Sequence, residues 1–443
     1  MGRLFGTDGI RGVANVDLTP NLAYDLGRAL GHYADGAGRS VVVGRDTRRS
    51  GEMLVSALAA GLTSVGTDVL DLGVVTTPCL AYVAETGEHV AGVMVSASHN
   101  PPDDNGLKVV SGGRKMDDEA EERLEHLIFQ AEALPRPTNA GLGRIQHDPA
   151  AVGVYRDHLA AAAGELLSGL RIGVDAANGS ASIFAPALFE GLGAHVTTIH
   201  CEPDGSNINI GGGATDPTAL AHLVRSGDLD LGFAFDGDAD RLIAVTEAGD
   251  VVDGDGVMGI IALDRLAAGT LAERTLVVSV MSNDGLVRAV EAAGGRVIRA
   301  PVGDRHIVEA MERSGAMLGG EQSGHIIFRD LASTGDGLLT AIQLVAALRG
   351  AIGQTLGQLA ARIPRRPQVV INSAVRHKDQ WQVDPLFADA VARATTRLGS
   401  RGRIIVRPSG TEPKLRIMVE GEEPEEIATI AQELADLATA RLN

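Results

Sequence analysis

Apolar and polar positions follow a repeating order along this chain: a short apolar strand, a turn of small or polar residues, and then a helical stretch. The order appears in SVVVGRDTR, in RIGVDAANGSA and in TLVVSVMSNDGL, which begin near residues 40, 171 and 275. Strands that alternate with helices are typical of α/β domains built on parallel sheets. The sequence therefore predicts three related α/β domains.

The two ends of the chain add further elements to this pattern. Near the N-terminus, Thr19 can cap a helix that has Pro20 in its first turn. The C-terminal region instead shows strands around residues 404–406 and 415–419, followed by a helix with Ile427, Ile430, Ala431 and Leu434 on one face. This different pattern predicts a smaller α+β domain at the C-terminus.

Two proline-containing stretches divide the chain. LPRPTNAGLG, around residue 138, and IPRRPQ, around residue 364, are predicted linkers. A third division is placed at VVDGDG, residues 251 to 256. The predicted domains are therefore residues 1–150, 151–252, 253–364 and 365–443.

Composition narrows the classes of function. The chain of 443 residues has a net charge of −18, which argues against nucleic acid and anionic membrane as partners. Hydrophobic residues make up 44% and aromatic residues 3%, so the cores are aliphatic. Two cysteines are too few for a disulfide framework or a zinc cluster. Because we find neither a signal peptide nor an apolar run of roughly 18 residues, we expect a cytoplasmic protein.

The segment LGFAFDGDADRLIAV carries three aspartates between two apolar, strand-like runs. Asp236, Asp238 and Asp240 repel one another unless they are solvated or neutralised by a cation, and oxygen ligands suit Mg²⁺. A solvated acidic hairpin turn is the simpler interpretation. A calcium-binding EF-hand is excluded, because Arg241 stands at its obligatory glycine and strands flank the loop.

The segment VSASHNPPDDNG places a hydroxyl among many turn-forming residues. Ser98 could be a hydrolase nucleophile, a buried structural serine or a carrier of a phosphoryl group. The nucleophile-elbow pattern is absent, and the adjacent His99 is awkwardly placed as a base for a hydrolase. Prolines stiffen the turn, and Asn105-Gly106 is predicted to turn the chain back so that Lys108 faces the same cleft.

Two further loops contain groups that bind anions and hydroxyls. RPSGTEPKLR can hold a phosphate group through arginine side chains, hydroxyls and backbone N–H groups; these residues are Arg407, Ser409, Gly410, Thr411 and Arg416. GGEQSGHI offers Glu321 and Ser323 to the vicinal hydroxyls of a sugar. Each loop alone could be an ordinary turn. A phosphoryl-carrying serine would explain all four segments together.

The four segments resemble the signatures of the α-D-phosphohexomutase superfamily, in the order SASHNP, DGDADR, GEQSGH and RPSGTEP. This resemblance covers nearly the whole chain. It implies four domains around one deep central cleft, with one loop from each domain. It also implies a homodimer.

The resemblance implies roles for the residues of these loops. Ser98 would be the phosphorylated nucleophile and would bind Mg²⁺ together with Asp236, Asp238 and Asp240. Local positive charge would come from Arg11, Lys108 and Arg241, and either His99 or Lys108 would serve in acid/base steps. Sugar hydroxyls would contact Glu321 and Ser323, and the substrate phosphate would contact the RPSGTEPKLR loop.

Within the superfamily, FGTDGIRG, Gln322 and RIMVEG are similar to the branch that acts on glucosamine phosphates. The implied reaction interconverts glucosamine 6-phosphate and glucosamine 1-phosphate through glucosamine 1,6-bisphosphate, on the route to UDP-N-acetylglucosamine and peptidoglycan. Pro102, the run LKVVS and Lys414 depart from the usual pattern. The alternatives are a phosphoglucomutase or phosphomannomutase and a non-catalytic sugar-phosphate sensor.

Overall fold

The computed structural model describes residues 4–6, 8–409 and 413–443. It contains four sheets in chain order, of which three belong to α/β domains and the last to a smaller α+β domain. This is the fold class that the sequence predicts. The three α/β sheets are mixed, however, whereas the sequence pattern predicts parallel sheets.

The first domain has a sheet in the order β1-β5-β4-β2-β3-β7, with β6 paired to β5. Strands β4, β2, β3 and β7 are parallel, and β5 runs antiparallel to β4 and β1. The elements are β1 (Ile10–Val13), α1 (Pro20–Tyr33), β2 (Ser40–Arg45), α2 (Ser50–Thr63), β3 (Asp68–Val74), α3 (Thr77–Thr86), β4 (His89–Val95), β5 (Asp104–Ser111), β6 (Arg114–Lys115), α4 (Asp118–Phe129) and β7 (Ile145–His147).

One predicted turn in this domain is wrong. Asn105-Gly106 lies inside β5, where Gly106 pairs with Arg11 of β1. The chain reverses just before it, where the N–H of Asp104 donates to the carbonyl of Pro101 at 3.2 Å. The prolines therefore complete the turn, and glycine is needed at 106 because a Cβ there would lie 2.4 Å from the carbonyl oxygen of Ser96.

The second domain has the sheet order β12-β11-β10-β8-β9, in which β9, β8 and β10 are parallel. Strand β11 returns antiparallel to β10, so the two form a hairpin. The elements are α5 (Gly153–Ala163), β8 (Arg171–Asp175), α6 (Ala181–Gly191), β9 (His195–Ile199), α7 (Thr218–Ser226), β10 (Leu231–Phe235), β11 (Leu242–Thr246) and β12 (Val251–Val252).

The third domain repeats this plan with the sheet order β14-β13-β15-β16. Strands β14, β13 and β15 are parallel, and β16 returns antiparallel to β15. The elements are α8 (Gly254–Ala267), β13 (Thr275–Ser279), α9 (Asp284–Ala292), β14 (Arg296–Ala300), α10 (Asp304–Ser314), β15 (Leu318–Gly320), β16 (Ile326–Phe328), α11 (Gly337–Gly350) and α12 (Leu356–Ala360).

The fourth domain is an antiparallel sheet, in the order β17-β19-β18, covered by helices. Strands β18 and β19 and the last helix match the prediction, whereas β17 and α13 were not predicted. The elements are β17 (Gln368–Ala374), α13 (Pro385–Leu398), β18 (Gly402–Pro408), β19 (Lys414–Gly421) and α14 (Pro424–Arg441).

All four loops singled out in the sequence connect antiparallel neighbours: β4 to β5, β10 to β11, β15 to β16, and β18 to β19. These hairpins explain why the first three sheets are mixed. One large apolar cluster runs through the first three domains, from Val42 to Phe233 and Phe328. The fourth domain has its own apolar cluster. Among the described residues, no helix is both long and apolar enough to span a membrane.

Candidate active site

Ser98 lies in the loop that joins β4 to β5 and is 1% exposed. Its φ angle is 53°, a left-handed backbone conformation that is uncommon for serine. The Ser98 hydroxyl donates to Oδ2 of Asp236 at 2.6 Å. The ring nitrogen Nδ1 of His99 lies 3.3 Å from Ser98 Oγ. The hairpins of the first two domains therefore meet at this hydroxyl. Although the sequence analysis regards His99 as awkwardly placed, its ring lies within reach of the Ser98 hydroxyl.

The loop between β10 and β11 brings Asp236, Asp238 and Asp240 together. All three side chains are buried, and one carboxylate oxygen from each lies within 4.8 Å of the others. Oδ1 of Asp238 and Oδ1 of Asp240 are buried and have no hydrogen-bond partner among the described residues. Buried carboxylate oxygens without donors are expected where a cation is bound. The donor set fits a divalent ion that prefers oxygen ligands.

The ionisation of this cluster is uneven. Burial, followed by the charges of Asp240 and Asp238, raises the pKa of Asp236 to about 8. Burial acts in the same direction on Asp240, but Lys108 and His325 hold the pKa of that carboxyl well below its usual range. Asp240 is thus neutralised by protein cations, whereas Asp236 lacks sufficient compensation. A bound cation would supply it.

The three predicted cations lie around the cluster. Lys108 Nζ lies 2.8 Å from Asp238 Oδ2 and 3.2 Å from Asp8 Oδ2. Arg241 Nε lies 3.9 Å from Asp236 Oδ2. Arg11 forms an ion pair with Asp8, and it also donates to the carbonyl of Ala97, at the base of the serine loop, at 3.3 Å. Although burial opposes it, Asp238 and Asp8 raise the pKa of Lys108, so this side chain stays charged.

His325 lies in the loop that joins β15 to β16 and contacts the loop that joins β10 to β11. Its Nδ1 lies 3.6 Å from Asp240 Oδ2, and its Nε2 lies 3.5 Å from Asp304 Oδ2. Although burial lowers it, Asp304 and Asp240 raise the pKa of His325 to about 10. Gly324, with a φ of 92°, approaches Leu242 so closely that a Cβ would lie 2.3 Å from its carbonyl oxygen. The second and third hairpins are thereby fixed against each other.

The predicted sugar-binding residues lie on this third hairpin. Glu321 Oε1 accepts a hydrogen bond from the N–H of Gly303 at 3.0 Å. Burial, followed by the charge of Asp304, raises the pKa of Glu321. Ser323 has a buried Oγ without a hydrogen-bond partner among the described residues. Both residues therefore retain oxygen atoms that a ligand could engage.

The predicted phosphate-binding residues lie on the hairpin of β18 and β19. Arg407 and Arg416 are paired directly across the two strands. Burial, followed by the charge of Arg416, lowers the pKa of Arg407, and Glu321 acts in the opposite direction. Ser409 is buried and donates its N–H to the carbonyl of Lys414 at 2.8 Å. Gly410 and Thr411 lie outside the described residues.

Several residues of this site were missed by the sequence analysis. Asp46 and Arg48 form hydrogen bonds with the loop that contains Ser98, and Asn209 of the second domain also donates to that loop. Thr77 donates its hydroxyl to Asp238 Oδ2 at 2.6 Å. His325, which lies between Asp240 and Asp304, was also missed. The signal available for two of them was GRDTR, in which an aspartate and an arginine follow a strand.

Four family models match the chain in order: phosphoglucomutase/phosphomannomutase domain I at residues 2–134, domain II at 154–249, domain III at 253–366 and the C-terminal domain at 370–437. The chain belongs to the phosphoglucomutase/phosphomannomutase family. The family assignment from the four sequence signatures is thus confirmed.

Curated members of this family resemble the chain over its full length. A phosphoglucosamine mutase of Symbiobacterium thermophilum is 49% identical over 448 residues and covers 100% of both chains. A phosphoglucosamine mutase of Moorella thermoacetica is also 49% identical, with 99% of this chain and 100% of the relative covered. That of Frankia alni is 47% identical, with 100% and 99% covered.

Solved structures of the family share the fold. A phosphoglucomutase/phosphomannomutase family protein of Burkholderia thailandensis superposes with a TM-score of 0.85 at 29% identity, covering 99% of this chain and 97% of that one. A putative phosphomannomutase of Thermus thermophilus gives a TM-score of 0.79 at 24% identity, covering 98% of both chains. At that lower identity the likeness supports the four-domain fold alone.

Proposed function

We propose that this chain interconverts glucosamine 6-phosphate and glucosamine 1-phosphate, as the names of its full-length relatives indicate for those proteins. One observation carries the proposal: a buried serine hydroxyl donates at 2.6 Å to one of three clustered carboxylates contributed by another domain. A structural serine would need only one acceptor. The acceptor of this serine instead belongs to a cluster in which two further buried carboxylate oxygens, Oδ1 of Asp238 and of Asp240, have no donor among the described residues.

In the proposed reaction, phosphorylated Ser98 donates its phosphoryl group to O1 of glucosamine 6-phosphate. The bond between Ser98 Oγ and phosphorus breaks as a bond from phosphorus to O1 forms, O1 loses its proton, and Oγ gains one. The product is glucosamine 1,6-bisphosphate. After this intermediate reorients, its 6-phosphoryl group returns to Ser98 and glucosamine 1-phosphate is released. Phosphoryl transfer depends mainly on positioning and on charge stabilisation.

The residues around Ser98 have separate proposed roles. His99, with Nδ1 3.3 Å from Oγ, moves the proton at the serine. Lys108 and Arg241 stabilise charge on the phosphoryl oxygens, and Arg11 orders the loop through the carbonyl of Ala97. Lys108 is already engaged by two carboxylates, so we assign it no proton transfer.

Asp236, Asp238, Asp240 and a phosphoserine oxygen would hold one Mg²⁺. The fit rests on the buried oxygens without donors and on the raised pKa of Asp236. When bound, the ion supplies positive charge to the transferring phosphoryl group. The three carboxylates with a phosphate group of about −1.5 to −2 exceed the charge of the ion, which is why Lys108 and Arg241 are needed as well.

Substrate binding is assigned to the third and fourth hairpins. Glu321 and Ser323 would accept and donate hydrogen bonds with sugar hydroxyls. Arg407, Arg416, Ser409 and the Gly410-Thr411 turn would hold whichever phosphate is not reacting. The charge of Glu321 acts on Arg407, which supports a continuous surface from sugar loop to phosphate loop.

The proposed domain boundaries follow residues 150, 252 and 364. The last two fall between elements: between β12 and α8, and between α12 and β17. The first falls between β7 and α5, inside the short 3-10 helix Pro149–Val152. The four domains would enclose the cleft in which the substrate turns over. A homodimer, suggested by the family resemblance, stays a prediction.

A coupled assay tests the proposed function. Purified protein is offered glucosamine, glucose and mannose 6-phosphates, each with Mg²⁺ and a trace of sugar 1,6-bisphosphate. We expect kcat/KM to be highest for glucosamine 6-phosphate. A preference for glucose or mannose would make the chain a phosphoglucomutase or phosphomannomutase, and no turnover of any of the three would favour a sugar-phosphate sensor.

A further inference from the structure

The backbone of Ser98 needs external support. At a φ of 53° the residue occupies a conformation that a serine adopts only when its surroundings impose it. The loop that follows contains two prolines and leaves several carbonyl groups without partners in a sheet. The surroundings must therefore supply donors to these carbonyls.

Arg48 supplies most of these donors. Its side chain is fully buried, and Nη2 donates to the carbonyls of Ser98 at 3.0 Å and Asn100 at 2.8 Å. Nη1 donates to the carbonyl of Asp104 at 3.0 Å and to that of Pro101. One guanidinium thus holds four carbonyls of a single loop, which requires the planar, many-donor fork of arginine.

Asp46 completes the support from the same side. Its Oδ2 lies 2.9 Å from Arg48 Nε and neutralises the buried guanidinium. The same Oδ2 accepts from the Ser96 hydroxyl at 2.7 Å, and the Ser96 oxygen in turn accepts from the N–H of Ser98 at 2.9 Å. Asp46 and Arg48 therefore hold both backbone polar groups of Ser98.

Asn209 acts from the second domain. Its Nδ2 donates to the carbonyls of Ser98 at 2.8 Å and Asn100 at 2.9 Å, the two that Nη2 of Arg48 also holds. Next to Asp236, Gly237 packs so tightly on the loop that a Cβ there would lie 2.6 Å from the Ser98 carbonyl oxygen. The second domain, which carries the three aspartates, thus contacts the loop of Ser98 directly.

We propose that Arg48 and Asn209 are positioning residues that clamp the Ser98 carbonyl between the first two domains and thereby keep Ser98 Oγ on the aspartate cluster. The inference rests on the proposed function. The sugar must present O1 and then O6, so the serine has to be the fixed partner in both transfers. Because Arg48 and Asn209 donate to backbone carbonyls of the Ser98 loop, the clamp acts on the rate of phosphoryl transfer rather than on substrate binding.

Single-turnover measurements test the clamp. Enzyme is phosphorylated with radiolabelled glucose 1,6-bisphosphate, desalted and mixed with glucosamine 6-phosphate. Transfer of the label from Ser98 to the sugar is followed by rapid quenching, because the second transfer restores an unlabelled phosphoserine. Arg48→Lys keeps the charge that Asp46 needs but loses the fork, and we expect the transfer rate to fall at least 30-fold. Asn209→Gly keeps the left-handed backbone (φ 59° in the native residue) without the amide, and we expect at least a 5-fold fall.

Two further features distinguish the clamp from a merely structural role. For both variants, the concentration of glucosamine 6-phosphate that half-saturates the rate should change by less than 3-fold. Arg45→Lys, at the end of the strand that precedes Arg48 and paired with exposed Glu52, is the matched control and should transfer at the wild-type rate. If the variants instead lose only the fraction of enzyme that can be phosphorylated, with an unchanged rate in the remainder, the proposal is overturned.

Failure of the proposed function would look different. Wild-type phosphoenzyme would then transfer to none of the three sugar phosphates. The clamp would still be judged by the rate at which glucose 1,6-bisphosphate phosphorylates Ser98. Arg48→Lys should slow that rate by a similar factor, and an equal rate would contradict the proposal. If Arg48→Lys fails to fold, Asn209→Gly decides the question alone.

Discussion

The serine–aspartate cluster and the arginine pair of the fourth domain are built in opposite ways. In the cluster, Lys108 and Asp238 are both buried and lie 2.8 Å apart, and charges of both signs surround Ser98. In the fourth domain, Arg407 and Arg416 are like charges paired directly across two strands. Like charges directly opposite each other destabilise a sheet, so we expect an anion between them to be favoured.

This contrast indicates that the two regions have different roles in the reaction. The groups proposed to make and break bonds lie on hairpins of the three domains that share one apolar cluster. The groups proposed to hold the substrate phosphate lie on a domain with a separate apolar cluster. Substitutions in the first region should therefore alter kcat, and substitutions in the second should alter KM.

The strongest test of the first region is Ser98→Ala. We expect kcat to fall at least 100-fold, about 2.7 kcal/mol of barrier, because the other hydroxyl of the loop, that of Ser96, is engaged by Asp46 Oδ2. Steady-state assays and intact-mass spectrometry should show loss of both turnover and phosphorylation. Ser111→Ala, on an exposed serine at the end of β5, is the control and should be unaffected. Near-normal turnover in Ser98→Ala would remove the nucleophile assignment.

Metal removal tests the same region with a smaller expected effect. Treatment with EDTA should reduce activity at least 30-fold, and Mg²⁺ should restore it, because Oδ1 of Asp238 and Oδ1 of Asp240 have no donor among the described residues and are free to bind a cation. Calorimetry should detect one Mg²⁺ site that Asp238→Asn abolishes. Asp228→Asn, in an exposed pair of carboxylates around Arg171, should leave that site intact. Full activity in metal-free buffer would show that the aspartate loop is only a turn.

The second region is tested by Arg407→Ala. We expect KM to rise about 10-fold for both sugar phosphates, since charge-assisted hydrogen bonds contribute about 1.5–3 kcal/mol each. Phosphorylation of Ser98 and the Mg²⁺ affinity should not change. The control is Arg397→Ala, which removes an exposed arginine paired with Glu426 in the same domain. An unchanged KM would mean that the substrate phosphate binds elsewhere. A loss of phosphoserine would mean that the fourth domain also affects the Ser98 site, so that the two regions would not differ in role.

The order of elements and the family could be predicted from the sequence because strands, turns and the four signatures are local patterns. The α/β class is confirmed, and the large Asp–x–Asp–x–Asp signal does lie at a hairpin. The antiparallel strands β5, β11 and β16 could not be distinguished from parallel ones, since both are buried apolar runs. The Asn105-Gly106 prediction was wrong because strand pairing with β1 overrides the turn preference of that dipeptide.

The support of the site was harder to predict than its chemistry. Arg48 and Asn209 meet at the Ser98 carbonyl from positions 50 and 111 residues away, and a contact between side chain and backbone leaves no pattern in one sequence. His325 was visible in GEQSGH but acquired a role only when the fold placed it between Asp240 and Asp304. Long-range packing of this kind depends on the tertiary structure.

Asp255 offers the smallest and most discriminating test, because it is as deeply buried as Asp236 but belongs to neither region. Burial, followed by the charge of Asp253, raises the pKa of Asp255 to about 7, and its Oδ2 accepts from the N–H of Asn283 at 2.7 Å. Between about pH 4 and pH 7 the unfolded chain releases a proton that the folded chain retains, so this group makes stability fall as the pH rises through that range.

Asp255→Asn keeps an acceptor for Asn283 and removes this cost. Relative to wild type, the variant should gain about 2–3 kcal/mol more at pH 8 than at pH 5, because one pKa unit is worth about 1.4 kcal/mol. For a chain of this length that corresponds to roughly 2–4 °C in the thermal midpoint. Thermal unfolding at both pH values measures the difference, and kcat and KM should stay within 2-fold of wild type. Asp255→Asn could instead impair turnover as strongly as a substitution in the aspartate cluster. Burial of a carboxylate would then be enough to predict a role in catalysis. The distinction drawn from neighbouring cations and from the clustering of carboxylate oxygens would then fail.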